Sequence, residues 1–229
     1  MAGAVRGPER CSGLTRTTKK ILQRDLCKQV FAVMLRPMDT WDRTRVTEVE
    51  ALRAIAHPLR ARLLGALRHE GSATATELGL RFGESSGSTS YHLRQLERYG
   101  FIVEDEEQPS KRERRWRAAA KLTSWDDADF VDQPEGREAS DAMHDLQVRW
   151  LLKRDRQWRE RRLDWDREWL GAAGTSDVEV RLTPAATRRF VERFLELAAE
   201  AERETAAEPG AEIVSIHLQA VPVHPDDLV

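Results

Sequence analysis

The chain has 229 residues, 40 % of them hydrophobic and 33 % charged, enough for one large or two small domains with a buried core. No apolar run approaches the roughly 20 residues that span a bilayer. The one N-terminal apolar stretch, VFAVML, is too short for a secretory signal, so a cytoplasmic protein is expected. The net charge of −2 hides a gradient: +5 over residues 1–44, +3 over 45–121 and −10 over 122–229. A basic front and an acidic back suggest an anion-binding module joined to a part that binds no anion.

Residues 1–44 are polar, basic and weakly periodic, and are expected to be a poorly ordered extension. Two readings stay open for them. One is a tail, or an extension from an upstream start codon with Met34 or Met38 as the true start; the other is a basic arm that touches nucleic acid. Cys11 and Cys27, the only two cysteines, make no disulfide framework and fit a reducing compartment.

Residues 45–121 carry the clearest pattern. Leu52, Ile55 and Ala56 make one helical face, and Pro58 starts a second helix with Leu59, Leu63, Leu64 and Leu67 inward, ended by Gly71. Thr74 and Glu77 have capping-box spacing, with Leu78 and Phe82 facing inward. After Gly83 comes SSGSTSYHLRQLERYG, with Ser85 as its N-cap. Thr89, Leu93 and Leu96 share one face; Ser86, Ser90, Tyr91 and Arg94 share the other. Helix, glycine turn and a helix with a small polar leading end is the helix-turn-helix pattern. The small residues admit the helix to the major groove, and its first-turn amides and hydroxyls bond phosphate. The strands FIVEDEEQ and ERRWRAA then flank the turn QPSKR, a hairpin with Lys111, Arg112, Arg114 and Arg115 near its tip. Cations there neutralise phosphate or enter the minor groove, whereas the acidic run Glu104–Glu107 is expected to face away from DNA. Trp116 is expected to anchor the hairpin to the core.

ALRAIAHPLRARLLGAL, then TATELGLRFGESSGSTSYHLRQLERYGFI, then a basic hairpin ending in RRWR, resembles the winged helix-turn-helix regulators of the ArsR type over about residues 47–120. The resemblance implies a bacterial, dimeric transcription factor, usually a repressor released by an effector. DNA-binding residues are then expected at Ser86, Ser88, Ser90, Tyr91 and Arg94 in the major groove, and at Lys111, Arg112, Arg114 and Arg115 on the backbone or in the minor groove. The metal-sensing branches use paired cysteines near the recognition helix, or Asp and His pairs in a C-terminal helix. TELGLRFGES has no cysteine, and Asp141 and His144 lack a second pair, so no metal and no cofactor are expected. His92 reads either as a DNA contact or as a packed histidine at the helix junction, and His57 as a helix-end residue.

Residues 122–229 are expected to form a dimerisation or effector region. Met143, Leu146, Trp150, Trp165 and Trp169 recur at helical steps in a long helix over 137–169, too charged elsewhere to bury that stripe alone. They are expected to meet a second copy, or their own domain; the tryptophans also suit an apolar effector pocket. DVEVRL alternates like a strand, Thr183 caps a helix with Pro184 at its first position, and EIVSIHLQAV alternates again, a β-α-β unit. The fold class expected is therefore mainly α (α+β): a winged helix-turn-helix, a long helix and a small β-α-β unit.

The function this supports is a homodimeric, sequence-specific DNA-binding regulator on an inverted-repeat operator of double-stranded DNA, with a small-molecule effector and no membrane partner. The alternative is a winged-helix protein-interaction module that does not read DNA; such a module has no need of a basic wing. No nucleophile–base pair or phosphate loop supports an enzyme.

Overall fold

The computed structural model describes residues 41–106, 114–224 and 226. In chain order it contains β1 (Arg43–Arg45), α1 (Val49–Ile55), α2 (Pro58–His69), β2 (Ala73–Thr74), α3 (Ala75–Phe82), α4 (Ser86–Arg98), β3 (Ile102–Glu104), β4 (Arg115–Ala118), β5 (Leu122–Ser124), α5 (Pro134–Arg161), α6 (Arg167–Ala172) and α7 (Pro184–Thr205). It is mainly helical with two small sheets, and a long helix follows the helix-turn-helix region.

Local chemistry sets the helix ends. Residues before proline are disfavoured in the helical region, so α1 stops at Ala56 and His57 is extended ahead of Pro58. His57 caps α2: its Nδ1 accepts the Leu59 N–H at 3.2 Å. Gly71, at φ +86°, carries the chain out of α2 in the left-handed region that glycine tolerates best. The capping box forms, with the Thr74 N–H on the Glu77 carboxylate at 2.7 Å and the Glu77 N–H on Thr74 Oγ1 at 3.1 Å.

The winged domain packs one core. Leu52, Ile55, Leu63, Leu93, Leu96, Phe101 and Ile102 are at most 2 % exposed and join in a single cluster. Trp116, 4 % exposed, sits in it and holds β4 down, as the sequence suggests. The three-stranded sheet runs β2-β4-β3, antiparallel, with Ile102 opposite Ala118 and Ala73 opposite Trp116. The expected boundaries at 44/45 and 121/122 both fall at a second sheet. β1 pairs in parallel with β5, Arg43 opposite Leu122 and Arg45 opposite Ser124, so Arg43 and Thr44 belong to the folded part. The half-buried Arg68 of α2 bonds Ala120 O and Thr123 Oγ1 and fixes the chain leading into β5.

The C-terminal half departs from expectation in three ways. Met143, 8 % exposed, and Leu146, 3 %, are spent inside their own domain, where the N-terminal part of α5 packs on α1. They are therefore not available to a dimer interface. The helix expected over 137–169 ends at Arg161, followed by a turn at Arg162–Asp164. Asp166 then starts α6 by accepting the Trp169 N–H, so the Asp164–Asp166 stretch reads as a new helix start within one periodic stripe. The β-α-β unit has its helix, with Thr183 capping α7 and Pro184 first, but residues 174–183 and 211–224 form no strand. A strand holds only where its amides and carbonyls find a ladder partner, and neither segment finds one among the described residues. Among described residues 147–224, Ala199 alone is buried. No helix among the described residues is long and apolar enough to cross a membrane.

Candidate nucleic-acid interface

The geometry of α4 begins at Gly79. A Cβ built there would lie 2.9 Å from the Glu84 carbonyl and 3.2 Å from Thr89 Oγ1. Only glycine therefore lets α3 and α4 cross this closely. Gly83, at φ +72°, makes the turn, and Ser85 caps α4 by accepting the Ser88 N–H at 3.1 Å. Thr89, wholly buried, donates to Ser85 O at 3.0 Å and faces inward with Leu93 and Leu96.

The opposite side of α4 faces out. Ser86, Gly87, Tyr91, Arg94 and Arg98 are exposed, Tyr91 at 55 %. Ser88 and Ser90 are half-buried, and Ser88 Oγ lies 3.4 Å from the Glu84 carboxylate. Thus Ser86, Tyr91 and Arg94 share one surface, while Ser88 turns toward Glu84. Arg98, one turn beyond Arg94 on the same face, extends the surface; its i+4 spacing is visible in the sequence. An added Cβ at Gly87 meets nothing nearer than Ser85 Oγ at 4.0 Å, so packing does not demand glycine there.

The histidines belong to the scaffold beneath that face. His92 stacks on His57 with ring centroids 4.7 Å apart, and Tyr91 stands edge-on to it at 5.2 Å. His92 Nδ1 is enclosed without a hydrogen-bond partner among the described residues. Burial first, then the nearby Arg60, holds both rings below the ordinary histidine value.

The hairpin separates its arginines. Arg114 is 63 % exposed, with its Nε 3.8 Å from the Glu104 carboxylate. Arg115 is only 25 % exposed and already engaged: it donates to Ser72 O at 2.7 Å and to Glu77 Oε1 at 3.0 Å. The Thr74 amide first, then Arg115, holds the Glu77 carboxyl below its usual range. Arg115 thus ties the wing to the start of α3, against its expected place at the hairpin tip. Arg117, exposed two residues on, shares its strand face and was not anticipated. Lys111 and Arg112 lie outside the described residues.

One further polar cluster has a structural role. Asp127 accepts from Ser140 Oγ at 2.5 Å and from Trp125 Nε1 at 3.2 Å, with His144 Nε2 at 3.1 Å. Burial pushes the Asp127 carboxyl up, and the bonds from Ser140, His144 and Trp125 outweigh it, so it stays below its ordinary value. The serine donates to the carboxylate, and the cluster pins the 127–129 turn to α5. His144 therefore pairs with Asp127, and Asp141 has no part in it. Among the described residues, no group of three or more His, Cys, Asp or Glu side chains could hold a metal ion.

Residues 55–105 match a protein-family profile described as a helix-turn-helix domain. The match runs from the last residue of α1 through β3, and with the β3–β4 hairpin behind it the chain carries a winged helix-turn-helix. No curated protein matches the chain. Solved structures similar to parts of it include the YusO protein from Bacillus subtilis, at 12 % identity, covering 80 % of this chain and 98 % of that one, with a TM-score of 0.29. The transcriptional regulator Tm0710 from Thermotoga maritima shows 12 % identity over 82 % and 99 %, TM-score 0.28. NMB1585, a MarR family regulator from Neisseria meningitidis, shows 14 % over 84 % and 93 %, TM-score 0.25.

Proposed function

We propose that the chain is a sequence-specific DNA-binding transcriptional regulator of the ArsR type, a cytoplasmic homodimer that represses from an inverted-repeat operator. The observation that carries this reading is the outward face of α4. It has a small leading end at Ser86 and Gly87, then Tyr91, Arg94 and Arg98, all exposed on a helix whose other side is locked into the core. Such a face fits the major groove: the first-turn amides meet phosphate, while Tyr91 and Arg94 reach base edges or backbone. Arg114 and Arg117 meet the backbone beside it, joined by Lys111 and Arg112 on the strength of the sequence alone, and the half-buried Ser88 and Ser90 support the phosphate contact from within the first turns. The AHPLR and YHLRQLERYG elements support the ArsR type. In the C-terminal half, Trp150 and Trp165, at 40 % and 39 % exposed, supply apolar surface for a second copy, with Trp169 edge-on to Trp165. An open groove of about 490 Å³ between the β1–α1 loop and the end of α4, lined by Arg45, Glu48 and Arg98, suits a polar effector, because a molecule there touches the recognition helix.

The test is fluorescence anisotropy against DNA from upstream of the chain's own gene and against scrambled DNA of equal length, over a range of salt. A preference for the upstream DNA that survives physiological salt is the expected result. Equal binding that vanishes with salt means that only phosphate is read. No binding at low salt overturns the reading in favour of a protein-interaction module.

A further inference from the structure

Residues 177–182 read DVEVRL: apolar residues at 178, 180 and 182 alternate with charges at 177, 179 and 181. A strand with this pattern has one apolar face and one charged face. Among the described residues the segment has no ladder partner, and Val178, Val180 and Leu182 are 79 %, 63 % and 47 % exposed. It enters α7 directly, with Thr183 extended as the cap and Pro184 behind it.

We propose that this segment pairs antiparallel with the same segment of a second copy, making a two-stranded ribbon across the dimer axis. The proposal rests on the homodimer reading above and gives it a definite interface. A two-fold axis requires a patch that complements itself, and the charges, together with the start of α7 at Pro184, favour one register. Centring the pair on Glu179 sets Glu179 against its own copy, and centring on Arg181 sets two guanidinium groups together; like charges directly opposite are unfavourable. Slipping by one residue sets apolar side chains against charged ones. Centring on Val180 avoids all of these: Val180 meets Val180, Val178 meets Leu182, and each Glu179 meets an Arg181. Asp177 then faces Thr183, and Pro184, which has no N–H, ends the ladder where α7 begins. A two-stranded ribbon is marginal alone, and the exposed Phe190 and Leu197 of α7 supply apolar cover for its inner face.

The test uses the full chain with Cys11 and Cys27 changed to serine. Sedimentation of this chain comes first: a monomer at all concentrations overturns the homodimer reading and this proposal with it. Given a dimer, Val180→Cys is expected to cross-link between copies under mild oxidation. Val178→Cys alone is not, because its copy lies several residues away, whereas Val178→Cys with Leu182→Cys is. Glu179→Arg is expected to weaken dimerisation roughly tenfold or more, and adding Arg181→Glu to restore it. A dimer in which Val178→Cys cross-links as readily as Val180→Cys, or in which Glu179→Arg dimerises unchanged, overturns the ribbon and leaves the homodimer standing.

Discussion

Gly87 is placed where the free protein has no use for a glycine. It is in the first turn of α4, on the exposed side, and an added methyl has open space around it. Helix propensity favours alanine there by up to about 1 kcal/mol. If the chain binds DNA as proposed, the missing side chain lets a phosphate approach the first-turn amides. Gly87→Ala is then expected to leave the melting temperature unchanged or raised, while DNA affinity falls by about 1 kcal/mol or more. Unaltered affinity in anisotropy titrations would remove Gly87 from the interface. The neighbouring arginines of the wing divide the same way. Arg114→Ala is expected to lower the salt dependence of binding by about one phosphate contact with little effect on stability. Arg115→Ala is expected to cost about 1–2 kcal/mol in urea unfolding, because it removes the Arg115 donor from Ser72 O and from Glu77 Oε1. A salt slope that falls with Arg115→Ala, and not with Arg114→Ala, reverses the two roles. In the sequence the two arginines are equivalent members of one basic run; the pairing of β2 with β4 tells them apart, setting Thr74 opposite Arg115.

At the scale of elements, local signals were legible and long-range ones were not. Pro58, the Thr74–Glu77 capping box, Gly83 and Ser85 mark helix ends through interactions within four residues, and all are realised. β1 is three residues, RTR, whose only reason to be a strand is a parallel partner some 80 positions away. Nothing local distinguishes it from a loop. The α3–α4 crossing belongs to the same class: Gly79 reads as a weak helix residue, and its reason is the Glu84 carbonyl across the turn. Gly79→Ala must shift that backbone, so about 1–3 kcal/mol of destabilisation is expected, visible as a lowered urea midpoint. Full stability in this variant would mean that the helices separate at little cost. The stripe over 137–169 misled for a related reason: periodicity reports that a face is apolar and not what covers it. Met143 and Leu146 are covered by the chain's own α1, whereas Trp150 and Trp165, at the same spacing, stand exposed.

For the whole molecule, the charge gradient becomes a division between a well-packed winged domain and an acidic half with little core of its own, and acid should act on both. His57, His69 and His92 are held below their ordinary value by burial first; Arg60 adds to this at His57 and His92, and Arg154, Lys121 and Arg68 at His69. Well above the ordinary histidine value these rings are uncharged in folded and unfolded chains alike. As pH falls through about 6.5, the unfolded chain takes up protons before the folded one, so stability declines from there and levels off below the folded values. The carboxylates behave in a second step. Glu192 is held low by Arg43, Glu202 by Lys121, and Glu77 by the Thr74 amide and Arg115. Their contribution is complete above the ordinary carboxylate range and is lost as pH falls through their lowered folded values. Arg43 and Lys121 connect α7 to the winged domain, so this second step should also release α7. Urea midpoints measured from about pH 8 to pH 3 at fixed ionic strength should therefore fall twice. His92→Gln should shrink the upper fall, and Glu192→Gln the lower one. A midpoint flat between about pH 7 and pH 5 would mean that the stacked histidines are open to solvent, and would take away the rigid support on which the Tyr91 face of α4 depends.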